Sequence, residues 1–281
     1  MAEGDGFVTR GGELVFEHDT TKGVLRSENH LTSDFRPKKP VGREEEIQGI
    51  VGAVRPLTRR KEPDNLLVHG PAGVGKTTCV RHVFDQLGEE TAVKAIYINC
   101  WQYDSRSSLL TQLLIELGYP VPRKGRPVDQ LLSRIAEFVG KSDGVAVALD
   151  EFDKLGDQTE VVYDLQYVSE EADQHLGMVL VSNQGPEWVN LDPRSESRLR
   201  CQELLFEPYS AGELADILSD RVEQAFRPGS ISDDVIRRIA EGVAENSGDC
   251  REALRQLLNL GRRADRNGID KLTAETVTEL V

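Results

Sequence analysis

The sequence predicts an α/β protein: a parallel sheet flanked by helices on both faces, followed by a small all-helical domain. Two observations carry this reading. Short Val/Leu/Ile-rich runs ("NLLVHG", "AVKAIYIN", "GVAVALDE", "GMVLVSN" and "QELLFEPY") read as buried strands, and longer amphipathic stretches separate the first four. After Pro208 the strands stop and only helical periodicity remains.

Taken in order, residues 1–29 are rich in Gly, Thr and charge and predict a loosely ordered extension. Residues 30–208 are assigned to the sheet domain and 209–281 to the helical one. "TTCVRHVFDQLG" and "VDQLLSRIAEFVG" are the amphipathic helices expected to cover the sheet. "SAGELADILSDRVEQAF" opens with a capping box, Ser210 to Glu213, and sets Leu214, Ile217, Leu218 and Val222 on one face. "DDVIRRIAEGVAEN", "DCREALRQLLNLGRRA" and "TAETVTELV" follow as further helices, separated by Asn/Gly/Ser turns.

The 281 residues carry 48 Asp and Glu against 34 Lys and Arg, a net charge of −14. Only ten of the bases are lysine. This balance fits a surface built for very high salt, as in a halophile, with a moderately acidic cytosolic protein as the alternative. It argues against an unaided, sequence-blind grip on nucleic acid, which rests on cations neutralising phosphates. Cys79, Cys100, Cys201 and Cys250 lie far apart with no C-x-x-C pair, as expected of free thiols in a reducing compartment. A basic start followed by an apolar run is missing, as is any 18-residue apolar stretch, so the expectation is a cytoplasmic protein with no membrane partner.

"LLVHGPAGVGKTTCV" matches G-x-x-x-x-G-K-[ST] at Gly70, Gly75, Lys76 and Thr77, between an apolar strand and an amphipathic helix. Glycines in the loop Pro71, Ala72, Gly73, Val74 and Gly75, continued by Thr78, let its available N–H groups close around phosphates at a helix N-terminus. Lys76 is placed to reach the β- and γ-phosphates and Thr77 to bind Mg²⁺; a plain tight turn explains the glycines but not the lysine. "VAVALDEFDKL" ends a buried strand in Asp150 and Glu151, adjacent carboxylates that repel unless a cation shares the place. Asp150 is the expected metal partner and Glu151 the base that activates water. Asn183, ending "MVLVSN", is expected to orient that water, although Asn also ends strands for purely local reasons. Arg251 follows Asp249 at a helix start, where the dipole opposes a cation unless an anion faces it; a γ-phosphate contact is the reading, a surface arginine the alternative. Arg194, Arg198 and Arg200 lie in "LDPRSESRLR"; Arg198 is the first choice for a finger acting on a neighbouring subunit, and surface charge the alternative.

From about Pro40 to Val281 the chain resembles an AAA+ ATPase, within that group the archaeal replication initiators related to eukaryotic origin-recognition and helicase-loader proteins. The resemblance rests on "PVGREEEI", "GPAGVGKT", "YINC", "ALDEFDKL" with "VVYDLQYV", "LVSN", "LDPRSESRL" and "GDCREAL", in that order. It implies a slow, Mg²⁺-dependent ATPase that binds ATP and ADP and serves as a switch in replication initiation. By the same resemblance Val41, Gly42 and Arg43 flank the adenine, Asn183 is a first sensor and Arg251 a second. An extra helical element used to touch DNA falls around Ser105 to Arg126 and holds the basic cluster Arg123, Lys124 and Arg126. Implied partners are duplex DNA, other initiator subunits and the replicative helicase. The chain ends where the family's winged-helix domain begins, so weak DNA binding is expected. That departure keeps open a stand-alone regulatory or remodelling ATPase, or an ATP-holding scaffold.

Overall fold

Five strands form one all-parallel sheet: β3 (Leu66–His69), β4 (Lys94–Asn99), β5 (Val145–Asp150), β6 (Leu176–Ser182) and β7 (Gln202–Leu205). The computed structural model describes residues 23–119, 126–188, 199 and 201–280, together with two short paired strands, β1 (Thr9–Arg10) and β2 (Glu13–Leu14). Spatial order in the large sheet is β4-β5-β6-β3-β7. Every residue of β5 and β6 is buried, as the unbroken apolar runs require of central strands covered on both sides.

The pleat sorts side chains to two cores. Val145, Val147 and Leu149 of β5 join a cluster with α3 (Arg106–Glu116), α4 (Val128–Val139) and α5 (Gln158–Glu171). Ala146 and Ala148 face the other cluster, with α1 (Glu44–Val54) and α2 (Lys76–Glu90). Methyl side chains on that face let α2 lie close to the sheet. This order sets the carboxyl ends of β3, β5 and β6 side by side, the place where open α/β sheets hold ligands.

The lid consists of α6 (Ala211–Ala225), α7 (Asp233–Asn246), α8 (Cys250–Arg266) and α9 (Ala274–Leu280) around Leu214, Leu218, Val243 and Leu257. The expected capping box is formed: Ser210 N donates to Glu213 Oε2 at 2.8 Å, and Glu213 N to Ser210 Oγ at 3.3 Å.

Two expectations are corrected. Residues 23–29 of the expected extension are not loose, because Val24 is buried in the lid core. Backbone bonds from Arg26 N to Ala225 O at 2.7 Å and from Arg227 N to Val24 O at 2.9 Å hold the segment there. The run "QELLFEPY" is not a buried strand: β7 is the sheet edge, with Gln202, Glu203 and Leu205 exposed.

Candidate functional site

A cleft of about 970 Å³ opens between the carboxyl edge of the sheet and the lid, with residues 32–38 as a third wall. Its floor is the loop joining β3 to α2. Gly73 (φ +78°) and Gly75 (φ +93°) sit in the left-handed region, and their bare α-carbons touch the lid. A Cβ on Gly73 would overlap the Asp249 carboxylate, and one on Gly75 would overlap the Tyr209 hydroxyl. Here the glycines serve contact with the lid.

Lys76 opens α2 and is 6% exposed. Its Nζ donates to Gly70 O at 2.7 Å, Pro71 O at 2.6 Å and Asn183 Oδ1 at 3.0 Å. Burial lowers its pKa to about 8; the Asp150 charge opposes this and the Arg251 charge adds to it. Thr77 Oγ1 donates to Asp150 Oδ2 at 2.8 Å, and the Tyr97 hydroxyl donates to the same oxygen. Glu151 N donates to Asp150 Oδ1 at 2.9 Å. Burial, then the Asp150 charge, pushes the Tyr97 phenol well above its ordinary value, so it stays a donor.

Glu151 adopts φ +54°, a conformation that costs a non-glycine residue about 1–3 kcal/mol. The turn carries its carboxylate out of the strand into the cleft, while Phe152 next to it is fully buried and anchors the bend. Asn183 leaves β6 with its N–H on Asp153 Oδ1 at 3.3 Å. From the lid, Asp249 caps α8 by accepting from Arg251 N at 2.7 Å, and Cys250 N donates to Gly73 O at 3.2 Å. The Arg251 side chain is left exposed in the cleft.

Among the described residues no group of three or more His, Cys, Asp or Glu could hold a metal. The protein offers one hydroxyl, Thr77, and one carboxylate, Asp150. That pair fits Mg²⁺, which keeps water ligands and takes the rest from substrate phosphates rather than from a protein cage.

The cleft thus gathers the loop from Ala72 to Thr78, Asp150, Glu151, Asn183, Arg251 and Val41. Arg43 turns away from it. Only 3% exposed, it donates from Nε to Val74 O at 3.1 Å, and from its two Nη atoms to Glu46 Oε1 at 2.6 Å and Glu207 O at 2.5 Å. Its guanidinium lies 3.9 Å from the centre of the Tyr209 ring. Gly42, with φ +71°, makes the turn that sends it inward. Arg123 and Lys124, with Arg194, Arg198 and Arg200, lie outside the described residues. Arg126 sits 5.7 Å from the Tyr119 ring. Sequence reasoning gave no role to Tyr97, Arg81 or Tyr209. The signal for Tyr97 was its place two residues before Asn99 in "YINC", on the same strand face at the carboxyl edge.

Fold and site together define an AAA+ protein, a P-loop sheet domain whose cleft is closed by a helical lid. Residues 59–186 match the family model described as an AAA domain, and residues 215–279 the one described as a Cdc6 AAA+ ATPase-type lid domain. ORC1-type DNA replication protein 1 of Halobacterium salinarum is 34% identical over 255 residues, covering 89% of this chain and 79% of that protein. The ORC1-type DNA replication protein of Pyrococcus abyssi is 32% identical over 267 residues, and the chain spans 64% of its length. The structure of the Aeropyrum pernix ORC1 protein in complex with DNA superposes with a TM-score of 0.77 at 30% identity, covering 92% of this chain and 69% of that one. The crystal structure of Cdc6p from Pyrobaculum aerophilum, at 22% identity, shares the fold with a TM-score of 0.79 over 92% of this chain and 71% of that one. The chain belongs to the family of ORC1-type DNA replication proteins.

Proposed function

We propose that this chain binds ATP and ADP with Mg²⁺ in the cleft and hydrolyses ATP slowly, as a nucleotide-controlled switch in the initiation of DNA replication. One observation carries the reading: Lys76, the Thr77–Asp150 pair, Glu151, Asn183 and Arg251 converge from four separate segments on one cleft between sheet and lid. In this reading residues 30–208 are the ATPase domain and 209–281 its lid.

Each group has a separate task. Lys76 exchanges its three oxygen partners for β- and γ-phosphate oxygens, while backbone N–H groups of the loop and the start of α2 hold the remaining charge. Thr77 and Asp150 would hold Mg²⁺, which would supply neutralisation of the phosphate charge. Glu151 accepts a proton from the attacking water, and Asn183 fixes that water's orientation. Arg251 reports the γ-phosphate to the lid, so that its loss loosens the closed form. Arg198 acts on a neighbouring subunit's nucleotide. Duplex DNA, other initiator subunits and the replicative helicase are the assigned partners, in the cytoplasm. Arg123, Lys124 and Arg126 provide a weak DNA contact. The relative solved in complex with DNA and the family match support this assignment.

The test is a pair of variants. Lys76→Ala is expected to lose binding of a fluorescent ATP analogue, and Glu151→Gln to bind it normally while releasing no phosphate. Wild-type turnover in Glu151→Gln would remove Glu151 from the role of base.

A further inference from the structure

Asp150 is held by more than the P-loop. Both of its oxygens are occupied, Oδ1 by Glu151 N and Oδ2 by two hydroxyls, Thr77 and Tyr97. The Tyr97 contact is built in by the strand register. In the parallel pairing of β4 with β5, Tyr97 lies across from Ala148 and Asn99 across from Asp150. Tyr97, Ala148 and Asp150 therefore share one face of the sheet. The small Ala148 leaves room for a phenol ring to lie along the strand and reach the carboxylate one pleat further on. The ring is covered from α2 by Arg81, whose guanidinium carbon is 3.6 Å from the ring centre. Arg81 stands four residues after Thr77, on the same helix face. A single turn of α2 thus supplies the hydroxyl that meets Asp150 and the cation that pins the tyrosine behind it.

We infer that Tyr97 is a positioning residue for the metal: its hydroxyl, clamped by Arg81, fixes the Asp150 carboxylate in the orientation that meets Thr77 and the nucleotide-borne cation. The inference rests on the nucleotide reading of the cleft. Without Tyr97 the carboxylate keeps Thr77 and the Glu151 amide but loses the second donor on Oδ2, so its orientation is held less firmly. The metal then meets a less ordered ligand, while Lys76 and the loop, which hold phosphate without it, are untouched.

The experiment uses the full chain and its Tyr97→Phe variant, which keeps the ring and the Arg81 stack and removes only the donor. Affinity for a fluorescent ADP is measured in EDTA and in Mg²⁺, and Mn²⁺ binding in the presence of ADP is followed by electron paramagnetic resonance. The expected result is metal-free ADP affinity within about twofold of wild type, with Mn²⁺ affinity weakened about 10-fold, the usual cost of removing a residue that orients a metal ligand. Mn²⁺ affinity within twofold of wild type would overturn the inference, as would an equal loss of ADP affinity with and without metal, which is the mark of a loop damaged as a whole. If the wild-type chain bound no nucleotide under either condition, the nucleotide reading itself would fall and this inference with it.

Discussion

Replacing Arg43 by alanine separates two roles that the sequence merges. A residue flanking adenine would contribute to nucleotide affinity and little to the empty protein, whereas a buried latch contributes to the empty protein first. Removing the side chain leaves Val74 O without its donor in a buried setting, which costs about 2 kcal/mol, and Glu207 O in a half-buried one, about 1 kcal/mol. Loss of the cation on the Tyr209 ring adds about 1 kcal/mol. The Glu46 carboxylate is half-buried but keeps some access to water when its partner goes, so it adds less than the carbonyls. The sum is about 4 kcal/mol, and at about 2–4 °C per kcal/mol for a chain of this size the apo melting midpoint falls by about 10 °C. Arg43→Lys falls in between, because one ammonium cannot reproduce the planar fork that reaches three acceptors. Differential scanning calorimetry of nucleotide-free protein measures this directly. A midpoint within 2 °C of wild type in Arg43→Ala, together with weakened ADP binding, would refute the latch and restore Arg43 to the base.

The depressed Lys76 gives a pH signature. Below pH 8 the ammonium is present and nucleotide affinity is flat; above it the free protein sheds the proton and affinity falls by about tenfold per pH unit. Over the same range, up to the ordinary lysine value, the unfolded chain keeps a proton that the folded one has lost, so apo stability rises as affinity falls. Titration calorimetry in two buffers at pH 8.5 should show proton uptake on binding, and none would contradict the shift. Arg251→Ala is expected to weaken ATP about 10-fold, the worth of one charge-assisted contact, and ADP less than twofold; an equal loss for both would mean that Arg251 does not read the γ-phosphate. On duplex DNA, contacts from Arg123, Lys124 and Arg126 to about three phosphates give a log–log salt slope of roughly −2.7 in fluorescence anisotropy. Tight, sequence-selective binding by residues 1–281 would show that this chain reads bases itself.

What was legible in the sequence was local. The strand runs, the loop from Gly70 to Thr77, the acidic strand end and the Ser210 capping box are each decided within a few residues, by periodicity, glycine or capping chemistry. What was not legible depends on pairing across the chain. Nothing in "KGVLRS" announces that Val24 fills the lid core, because its partners, Ala225 and Arg227, lie some 200 residues away. Arg43 reads by resemblance as a neighbour of the adenine until the fold shows it beneath the loop, bonded to Val74 O. Tyr97 looks like an ordinary strand aromatic until the β4–β5 register puts it beside Asp150. Even β7, apolar enough to read as central, is an edge, because strand order is a property of the whole sheet.

The lid's hold on the loop explains why one arginine can matter so much. The N-terminus of α8 would itself attract an anion, but Asp249 already accepts from the amides of Arg251 and Glu252 and places its own negative charge there. The same carboxylate presses on Gly73, and Cys250 N bonds to Gly73 O, so lid and loop meet through short, uncharged or self-neutralised contacts. In the proposed reading, phosphate recognition from the lid side is therefore left to the Arg251 side chain rather than to the helix end. That side chain and Lys76 line the same cleft, and the Arg251 charge adds to the burial that lowers the Lys76 pKa. In that reading a phosphate between them would remove the repulsion and add two attractions at once. The two cations come from opposite sides, one at the start of α2 and the other at the start of α8. The gain is largest when the lid is closed, and that is the free-energy difference a nucleotide switch requires.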